Sequence, residues 1–136
     1  NAVFNYNFGA YYFNQGTDYN DQMNAITGTS AADQKKYDEL KAKRDGFFVK
    51  SLPYFEKSYS LLSVNESSLK GEDKTTYKNT LMALNRIYNM QSKLDKAAEM
   101  KKKSDAINWS ELNSNNNKAA TQAALLLLGS LGAILI

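Results

Sequence analysis

Carboxylates are the side chains in this sequence that could catalyse a reaction, because the chain contains neither cysteine nor histidine. Without these residues there are no thiolate nucleophiles, no Ser-His-Asp or Cys-His arrangements, no disulfides and few transition-metal ligands. The 14 acidic residues are spread along the chain and interleaved with lysines, which is typical of a solvated helix face. No pair stands out for acid–base chemistry. The sequence therefore predicts a protein that is not an enzyme and that uses no cofactor or metal.

The positive charge of the chain is modest and uneven. The net charge is +3, residues 1–30 carry only Asp18 and Asp21, and the basic residues concentrate near Lys101–Lys103. These three lysines could touch phosphates or anionic lipid, but cations are also favoured in the last turns of a helix by its dipole. No aromatic residues are interleaved with them, so we expect no nucleic-acid partner.

Helical spacing of apolar residues dominates the pattern, and no useful strand-like alternation occurs, so the fold class is predicted to be all-α. A first helix should begin near Ala2 and continue through Ile26, where Thr-Gly-Thr ends it. Ser30 then suits the N-cap of a second helix, with Asp33 in its first turn. The apolar stripe of this second helix extends to Leu62.

Further along the chain, residues 63–73 have the turn chemistry of a loop, and a third helix follows. Ser92 with Asp95 predicts the cap of a fourth helix over Leu94–Ile107. Within the second helix Pro53 removes one backbone donor, so we expect a bend at that point.

Two stretches share a motif at matching positions. Residues 5–16 read NYNFGAYYFNQG and residues 81–88 read LMALNRIY, both with the spacing L-G-x2-Y or a close variant. A small residue at the second position lets a partner helix approach closely. Each motif is followed by a segment that fits the second helix of a hairpin, at residues 51–58, SLPYFEKS, and at Ala97. Together these segments resemble the tetratricopeptide repeat (TPR).

The resemblance covers residues 2–107, and the first copy is similar to TPR proteins of Bacteroidetes-type bacteria in which the hairpin is lengthened. It implies antiparallel helical hairpins stacked as a short right-handed solenoid. The chain departs from the repeat pattern at Asn5, Ser63, Asn85 and Lys101, where other residue types are usual.

The first hairpin is longer than the second. Tyr12 and Ser51 are 39 residues apart, whereas Tyr88 and Ala97 are 9 apart, so the first hairpin has 30 additional residues. We expect both of its helices to be lengthened, with 31–50 forming a projecting helical arm of the domain.

The resemblance further implies a scaffold that binds a protein or peptide on the concave face formed by the first helices of the hairpins. The slots of that face correspond to Tyr6, Asn7, Ala10, Phe13 and Asn14 in the first helix and to Asn79, Met82, Arg86, Asn89 and Met90 in the third. Asparagine amides can pair with a peptide backbone, arginine can form a fork with a carboxylate, and methionine adapts to varied side chains. The alternative for Tyr6, Phe13 and Met90 is plain core packing.

The C-terminal part of the chain changes composition. Residues 108–118 form an Asn-rich linker, and residues 119–136 carry no charge and are mostly apolar. As a helix this apolar segment would be about 27 Å long, the lower limit for crossing a bilayer. It could cross a membrane, dock on the repeats as a fifth helix, enter a partner subunit's core, or be an addition foreign to the protein.

This apolar segment supports a second hypothesis, in which the chain is an accessory subunit of a cell-envelope assembly, attached through 119–136 to a membrane or to a partner's core. The chain begins at Asn1 without methionine or a leader pattern, so we expect its true start to lie elsewhere. The resemblance to exported bacterial repeat proteins favours the periplasm or cell envelope.

Overall fold

The computed structural model describes residues 1–107, which form four α-helices and one 3₁₀ turn. The α-helices are α1 (Ala2–Asn24), α2 (Ala31–Leu62), α3 (Gly71–Met90) and α4 (Leu94–Asp105), and the 3₁₀ turn spans Ser63–Ser68. No β-strand occurs within these residues, so the all-α prediction is confirmed for this part of the chain. The predicted linker 108–118 and apolar segment 119–136 lie outside the described residues.

The first two helices begin where the sequence places their starts. Asn1 caps α1, since its Oδ1 accepts a hydrogen bond from the Phe4 backbone N at 3.1 Å. At the start of α2, Ser30 Oγ accepts from the Asp33 backbone N at 3.1 Å, and Asp33 Oδ2 accepts from the Ser30 backbone N at 3.0 Å. This reciprocal capping satisfies two backbone donors that have no partner within the helix. The predicted cap of α2 is therefore confirmed.

The predicted loop 63–73 is wrong in part, because its first six residues form the 3₁₀ turn and α3 already begins at Gly71. Glu66 ties this turn to the helices around it. Its Oε2 accepts hydrogen bonds from the Tyr77 hydroxyl at 2.9 Å and from Lys103 Nζ at 2.8 Å. These long-range contacts, which no local pattern encodes, give the segment a fixed structure.

The predicted cap of α4 at Ser92 is also wrong. Ser92 has a φ of 57°, and the N-cap position falls on Lys93, which makes no side-chain capping bond. A capping serine needs an extended backbone, whereas Ser92 adopts the left-handed conformation that closes the turn after α3. In that turn the Lys93 backbone N donates to the Tyr88 carbonyl oxygen at 2.8 Å.

Helices α1 and α2 pack closely in antiparallel fashion, because glycines of α1 lie against phenylalanine rings of α2. A Cβ added to Gly9 would lie 2.9 Å from Phe55 Cδ1, and one added to Gly16 would lie 2.8 Å from Phe48 Cε1. Both pairs are spaced by seven residues on their helices, so they fall on one line of contact. The predicted role of Gly9 in admitting a partner helix is therefore seen in the packing.

At 32 residues α2 is the longest helix. Its N-terminal part runs beside the C-terminal part of α1, where Met23 and Leu40 are both buried. Pro53 lies inside α2 without ending it, and the expected bend there stays a prediction. Among residues 1–107 no helix, α2 included, is both long enough and apolar enough to span a membrane.

Helix α3 lies antiparallel to both α2 and α4. Its Thr80 hydroxyl is 3.3 Å from that of Ser58 on α2, and both residues are fully buried. On the other side Asn85 Nδ2 donates to the Ala97 carbonyl oxygen of α4 at 2.7 Å. The largest fully buried apolar side chains of the core are Phe13, Phe55, Tyr77, Leu81, Leu84 and Ile87.

Candidate partner-binding surface

The predicted binding residues lie on α1 and α3, which run side by side in the same direction. The Tyr6 side chain approaches that of Asn79, and two turns further on the guanidinium of Arg86 lies over the ring of Phe13, with Cζ 5.4 Å from the ring centroid. The two pairs have the same sequence offset of 73 residues, so the helices are parallel. The structure thus brings the two predicted rows of residues onto neighbouring helices.

Three of the ten predicted residues belong to the core. Tyr6, Phe13 and Asn79 keep 6%, 1% and 2% of their surface exposed. The Phe13 ring packs against the rings of Phe48 and Phe55, with centroids 4.9 and 6.0 Å away. Core packing therefore describes Tyr6 and Phe13, and Asn79 shares this environment.

The contact between Tyr6 and Asn79 leaves polar atoms incompletely paired. Burial raises the pKa of Tyr6 to about 12, and the nearby Asn79 amide acts in the opposite direction. The approach of the two side chains falls short of hydrogen-bond geometry. As a result, the Tyr6 hydroxyl and Asn79 Oδ1 have no hydrogen-bond partner among the described residues. This spot is held by apolar packing more than by polar bonds.

The other predicted residues are at least partly accessible. On α1, Asn7 and Asn14 are exposed and Ala10 is half-buried, and their spacing of three and four residues places them on one helix face. On α3, Met82 and Arg86 are half-buried, whereas Asn89 is exposed. The Asn89 amide folds back on its own helix and donates to the carbonyl oxygen of residue 85 at 2.9 Å. An accessible strip of amides therefore runs along α1, and the accessible part of α3 begins beside it.

Arg86 is the charged group at the centre of this surface. Burial lowers the pKa of its guanidinium, the positive charge of Arg44 lowers it further, and the carboxylate of Asp21 raises it. An arginine remains protonated under such shifts. Its charge therefore sits at the junction of three helices, where α1 supplies Asp21 and α2 supplies Arg44.

Arg44, Asn20 and Asp21 surround this end of the surface but were not among the predicted site residues. Arg44 Nη1 donates to Asn20 Oδ1 at 3.2 Å, which links α2 to α1. The sequence contained a signal, because Arg44 lies four residues after Leu40 and four before Phe48, on the apolar stripe of α2. A charged residue on such a stripe indicates a partner across the helix interface.

Met90, one turn after Arg86 on α3, lies at a small cavity between α2 and the end of α3. The cavity measures about 160 Å³ and is lined by Asp45, Phe48, Val49, Ile87, Met90 and Gln91. Small-molecule sites usually measure roughly 300–1,000 Å³, so this cavity suits one side chain of a partner better than a metabolite. Burial acts to raise the pKa of Asp45, but hydrogen bonds from Lys41 and Arg44 outweigh it and leave the pKa below its usual value.

Within residues 1–107 no cluster of three acidic side chains is arranged to hold a metal ion. Comparisons with family models, curated proteins and solved structures found no match for this chain.

Proposed function

We propose that residues 1–107 form a short TPR-like right-handed solenoid whose α1–α3 face binds a protein or peptide partner without catalysing a reaction. Two features of the packing support the solenoid. Helices are antiparallel within each hairpin. In the first, Gly9 and Gly16 lie against Phe55 and Phe48, in reverse order along the chain. In the second, Lys78 and Asn85 donate to the carbonyl oxygens of residues 107 and 97, again in reverse order. The first helices of the two hairpins are parallel, because Tyr6 and Phe13 contact Asn79 and Arg86 in the same order along the chain.

The position of Arg86 is the observation that carries the binding proposal. Its guanidinium is half-buried and is held over the Phe13 ring between α1 and α3. A guanidinium that is already ordered loses less conformational entropy when it binds, and it can hold a carboxylate through two parallel hydrogen bonds. The second guanidinium, that of Arg44, lies at the same end and is already paired with Asp45, whose Oδ1 is 2.8 Å from Arg44 Nη2. We therefore expect the partner to place a carboxylate near Arg86.

The exposed asparagines supply the rest of the recognition. Asn7 and Asn14 are two turns apart on α1, and Asn89 follows Arg86 by one turn on α3. Each amide offers both a donor and an acceptor, which matches the alternating groups of an extended peptide backbone. The partner is thus expected to be an extended segment lying along α1, with an acidic group at the Arg86 end.

A selection from a display library of random linear peptides on the immobilised full chain tests this proposal. Selected peptides should be enriched in Asp, Glu or a free carboxyl terminus, and Asn14→Ala should weaken their binding about fivefold, the equivalent of roughly 1 kcal/mol for one hydrogen bond. Asn24→Ala, at the far end of α1, is the matched control. If the selected peptides lack acidic groups, or if the two variants weaken binding equally, the proposal fails.

The uncharged run 119–136 favours the second candidate, an accessory subunit of a periplasmic or cell-envelope assembly. In that case deletion of 119–136 should abolish association with membrane vesicles or with the assembly, while the helical content of residues 1–107 is retained. If the deleted chain still associates, this candidate is refuted.

A further inference from the structure

A second surface of α1, facing away from α3, consists of aromatic side chains. Phe4, Phe8 and Tyr11 keep 58%, 42% and 60% of their surface exposed, and Tyr12 is half-buried beside them. On α2, the ring of Tyr54 stacks with those of Phe8 and Tyr12 at centroid distances of 5.7 and 5.8 Å. These five residues are called the aromatic face of the first hairpin.

The aromatic face is uncharged and has a defined limit. Residues 1–17 of the sequence contain no charged side chain. Further along the hairpin Tyr19 stacks with Phe47, but there Lys43 and Lys50 lie over the two rings, at 5.7 and 5.2 Å from their centroids. The hairpin thus covers its rings with lysine side chains at one end, whereas at the other end Phe4, Phe8 and Tyr11 stay open.

A row of exposed aromatics without charges is unusual on a protein surface and marks a place where another chain segment binds. The other exposed large apolar side chains within residues 1–107 lie singly or in pairs on separate elements, at Tyr37, Val49, Leu61, Val64, Met90 and Leu94. The aromatic face is therefore the surface of the described helices that is best suited to an apolar occupant.

The chain itself contains a segment that requires an apolar environment. Residues 119–136 carry no charged side chain and include six leucines and two isoleucines. If such a segment forms a helix, it is apolar all round and must be buried. Leucine and isoleucine side chains can pack on aromatic rings without leaving a polar group unpaired, so the segment and the aromatic face match in chemistry.

The connection between the two is long enough. The described residues end at Ile107, whose carbonyl oxygen accepts a hydrogen bond from Lys78 Nζ, next to the place where Asn79 approaches Tyr6 on α1. From there to the far side of α1 is about two helix diameters, roughly 20–24 Å. The 11 residues of the linker 108–118 span up to about 40 Å when extended.

We propose that the aromatic face of the first hairpin is the docking site of the chain's own segment 119–136. This contact covers both of the apolar surfaces at once. Pairing of two copies through their aromatic faces would leave 119–136 of each copy uncovered, and insertion of 119–136 into a membrane would leave the aromatic face bare. Docking leaves the α1–α3 face open to a partner, and it is an alternative to the accessory-subunit candidate.

A cysteine scan of the full chain tests the proposal, since the chain has no cysteine of its own. Tyr11→Cys is combined in turn with a cysteine at each of the four leucines 125–128, which cover one turn of a helix in the middle of the segment. Phe8→Cys, one turn away on α1, provides a second series in case the first disturbs the fold. The control series is Ala98→Cys with the same four cysteines, because Ala98 is exposed on α4 and lies closer in sequence to the segment.

We expect at least one Tyr11 or Phe8 pair to form an intramolecular disulfide in oxidised glutathione at least tenfold faster than any Ala98 pair, at a rate independent of protein concentration. Rates no higher than those of the Ala98 pairs overturn the proposal. Disulfide-linked dimers whose formation speeds up with protein concentration would make the occupant a second copy. If the pairs stay reduced and the chain floats with phosphatidylcholine vesicles, the segment enters a bilayer. Either result also overturns the proposal.

Thiol accessibility gives a second measurement on the full chain. With Tyr11→Cys as the reporter, Leu126→Asp together with Leu127→Asp should release the segment and raise the rate of reaction with a water-soluble thiol reagent about tenfold. Asn115→Asp with Asn116→Asp, which adds the same charge to the linker, is the matched control and should leave the rate unchanged. Equal rates for the two double variants contradict the docking of 119–136 on the aromatic face.

Discussion

Gly9 lies so close to Phe55 that a Cβ on the glycine would stand 2.9 Å from Cδ1 of the ring. Seven residues further along α1, Gly16 has the same relation to Phe48, at 2.8 Å. Contacts this short leave no room for a methyl group, so the spacing of α1 and α2 is set by the absence of two side chains. The orientation of the hairpin, and with it the position of the α1 surface, depends on these two glycines.

Gly9→Ala should therefore destabilise the protein. A helix with alanine is more stable than one with glycine by about 1 kcal/mol. Overpacking at a tight contact costs about 1–3 kcal/mol, and the rigid Phe55 ring cannot move away because it is enclosed by the core. We expect a net loss of roughly 1 kcal/mol in the free energy of unfolding, measured by urea denaturation.

Gly46→Ala is the matched control, because nothing lies within 4 Å of a Cβ at that position in α2. Here only the helix propensity acts, and the free energy of unfolding should rise by about 0.5–1 kcal/mol. If Gly9→Ala and Gly46→Ala shift stability in the same direction, the close contact with Phe55 does not control the packing.

Tyr6 should make stability fall at alkaline pH. Burial raises the pKa of Tyr6 from 10.0 to about 12, so the tyrosine of the unfolded chain ionises at a lower pH than that of the folded chain. The contribution of this shift to the free energy of unfolding is fully present below pH 10 and is lost as pH rises towards 12. Tyr6→Phe should reduce the slope of unfolding free energy against pH in this window by up to about 1.4 kcal/mol per pH unit. Tyr11→Phe, an exposed tyrosine on the same helix, should leave the slope unchanged. Equal slopes for the wild type and Tyr6→Phe would contradict this account.

Glu66 should make the stability of the protein fall at acid pH. Hydrogen bonding by Lys103 lowers the pKa of Glu66 below its ordinary 4.5, burial opposes this shift, and the Tyr77 hydroxyl adds to it. A lowered pKa gives stability that is present above the unfolded value of 4.5 and is lost as pH falls through the folded value. In Glu66→Gln the acid decline below pH 4.5 should be shallower, as followed by melting temperature. Glu39→Gln, which removes an exposed carboxylate of α2, should not change the decline, and identical profiles for Glu66→Gln and the wild type would exclude the role of Glu66.

Arg86→Ala should lower stability as well as partner affinity. The guanidinium covers the Phe13 ring, and such a contact contributes about 0.5–2 kcal/mol. Arg86→Lys keeps the positive charge over the ring but loses the fork that binds a carboxylate, so it should retain most of the stability and still weaken an acidic peptide. Thermal melts and peptide titrations on both variants separate the two roles. If Arg86→Lys binds the peptide as well as the wild type, bidentate carboxylate recognition is excluded.

Local signals in the sequence were enough to predict the helices and the cap at Ser30. The apolar spacing of α2 and the reciprocal Ser30–Asp33 pair depend on residues close in the chain, and both were predicted. Ser92 was misassigned because its left-handed conformation follows from how α3 ends and turns, which overrides the preference of serine for a cap. The contribution of Glu66 was missed because its partners Tyr77 and Lys103 are 11 and 37 residues away.

The candidate site was predicted less completely than the fold. The position of a residue in the repeat pattern does not determine its burial. For Tyr6 and Phe13 the alternative of core packing is the one seen, and Asn79 is buried with them. Arg44 is absent from the predicted site residues because its position depends on tertiary packing. Its place on the surface depends on how the lengthened part of α2 packs beside Asn20, which one sequence does not specify.

The most direct test of the partner-binding claim is an NMR titration of the ¹⁵N-labelled full chain with an acidic peptide obtained by the library selection. The account predicts that the largest shifts fall on the amide side chains of Asn7, Asn14 and Asn89 and on the backbone around Arg86, while Asn24 and Asn65 stay unchanged. Shifts concentrated on Phe4, Phe8 and Tyr11 instead, or spread evenly over all helices, would contradict the assignment of the α1–α3 face as the binding surface.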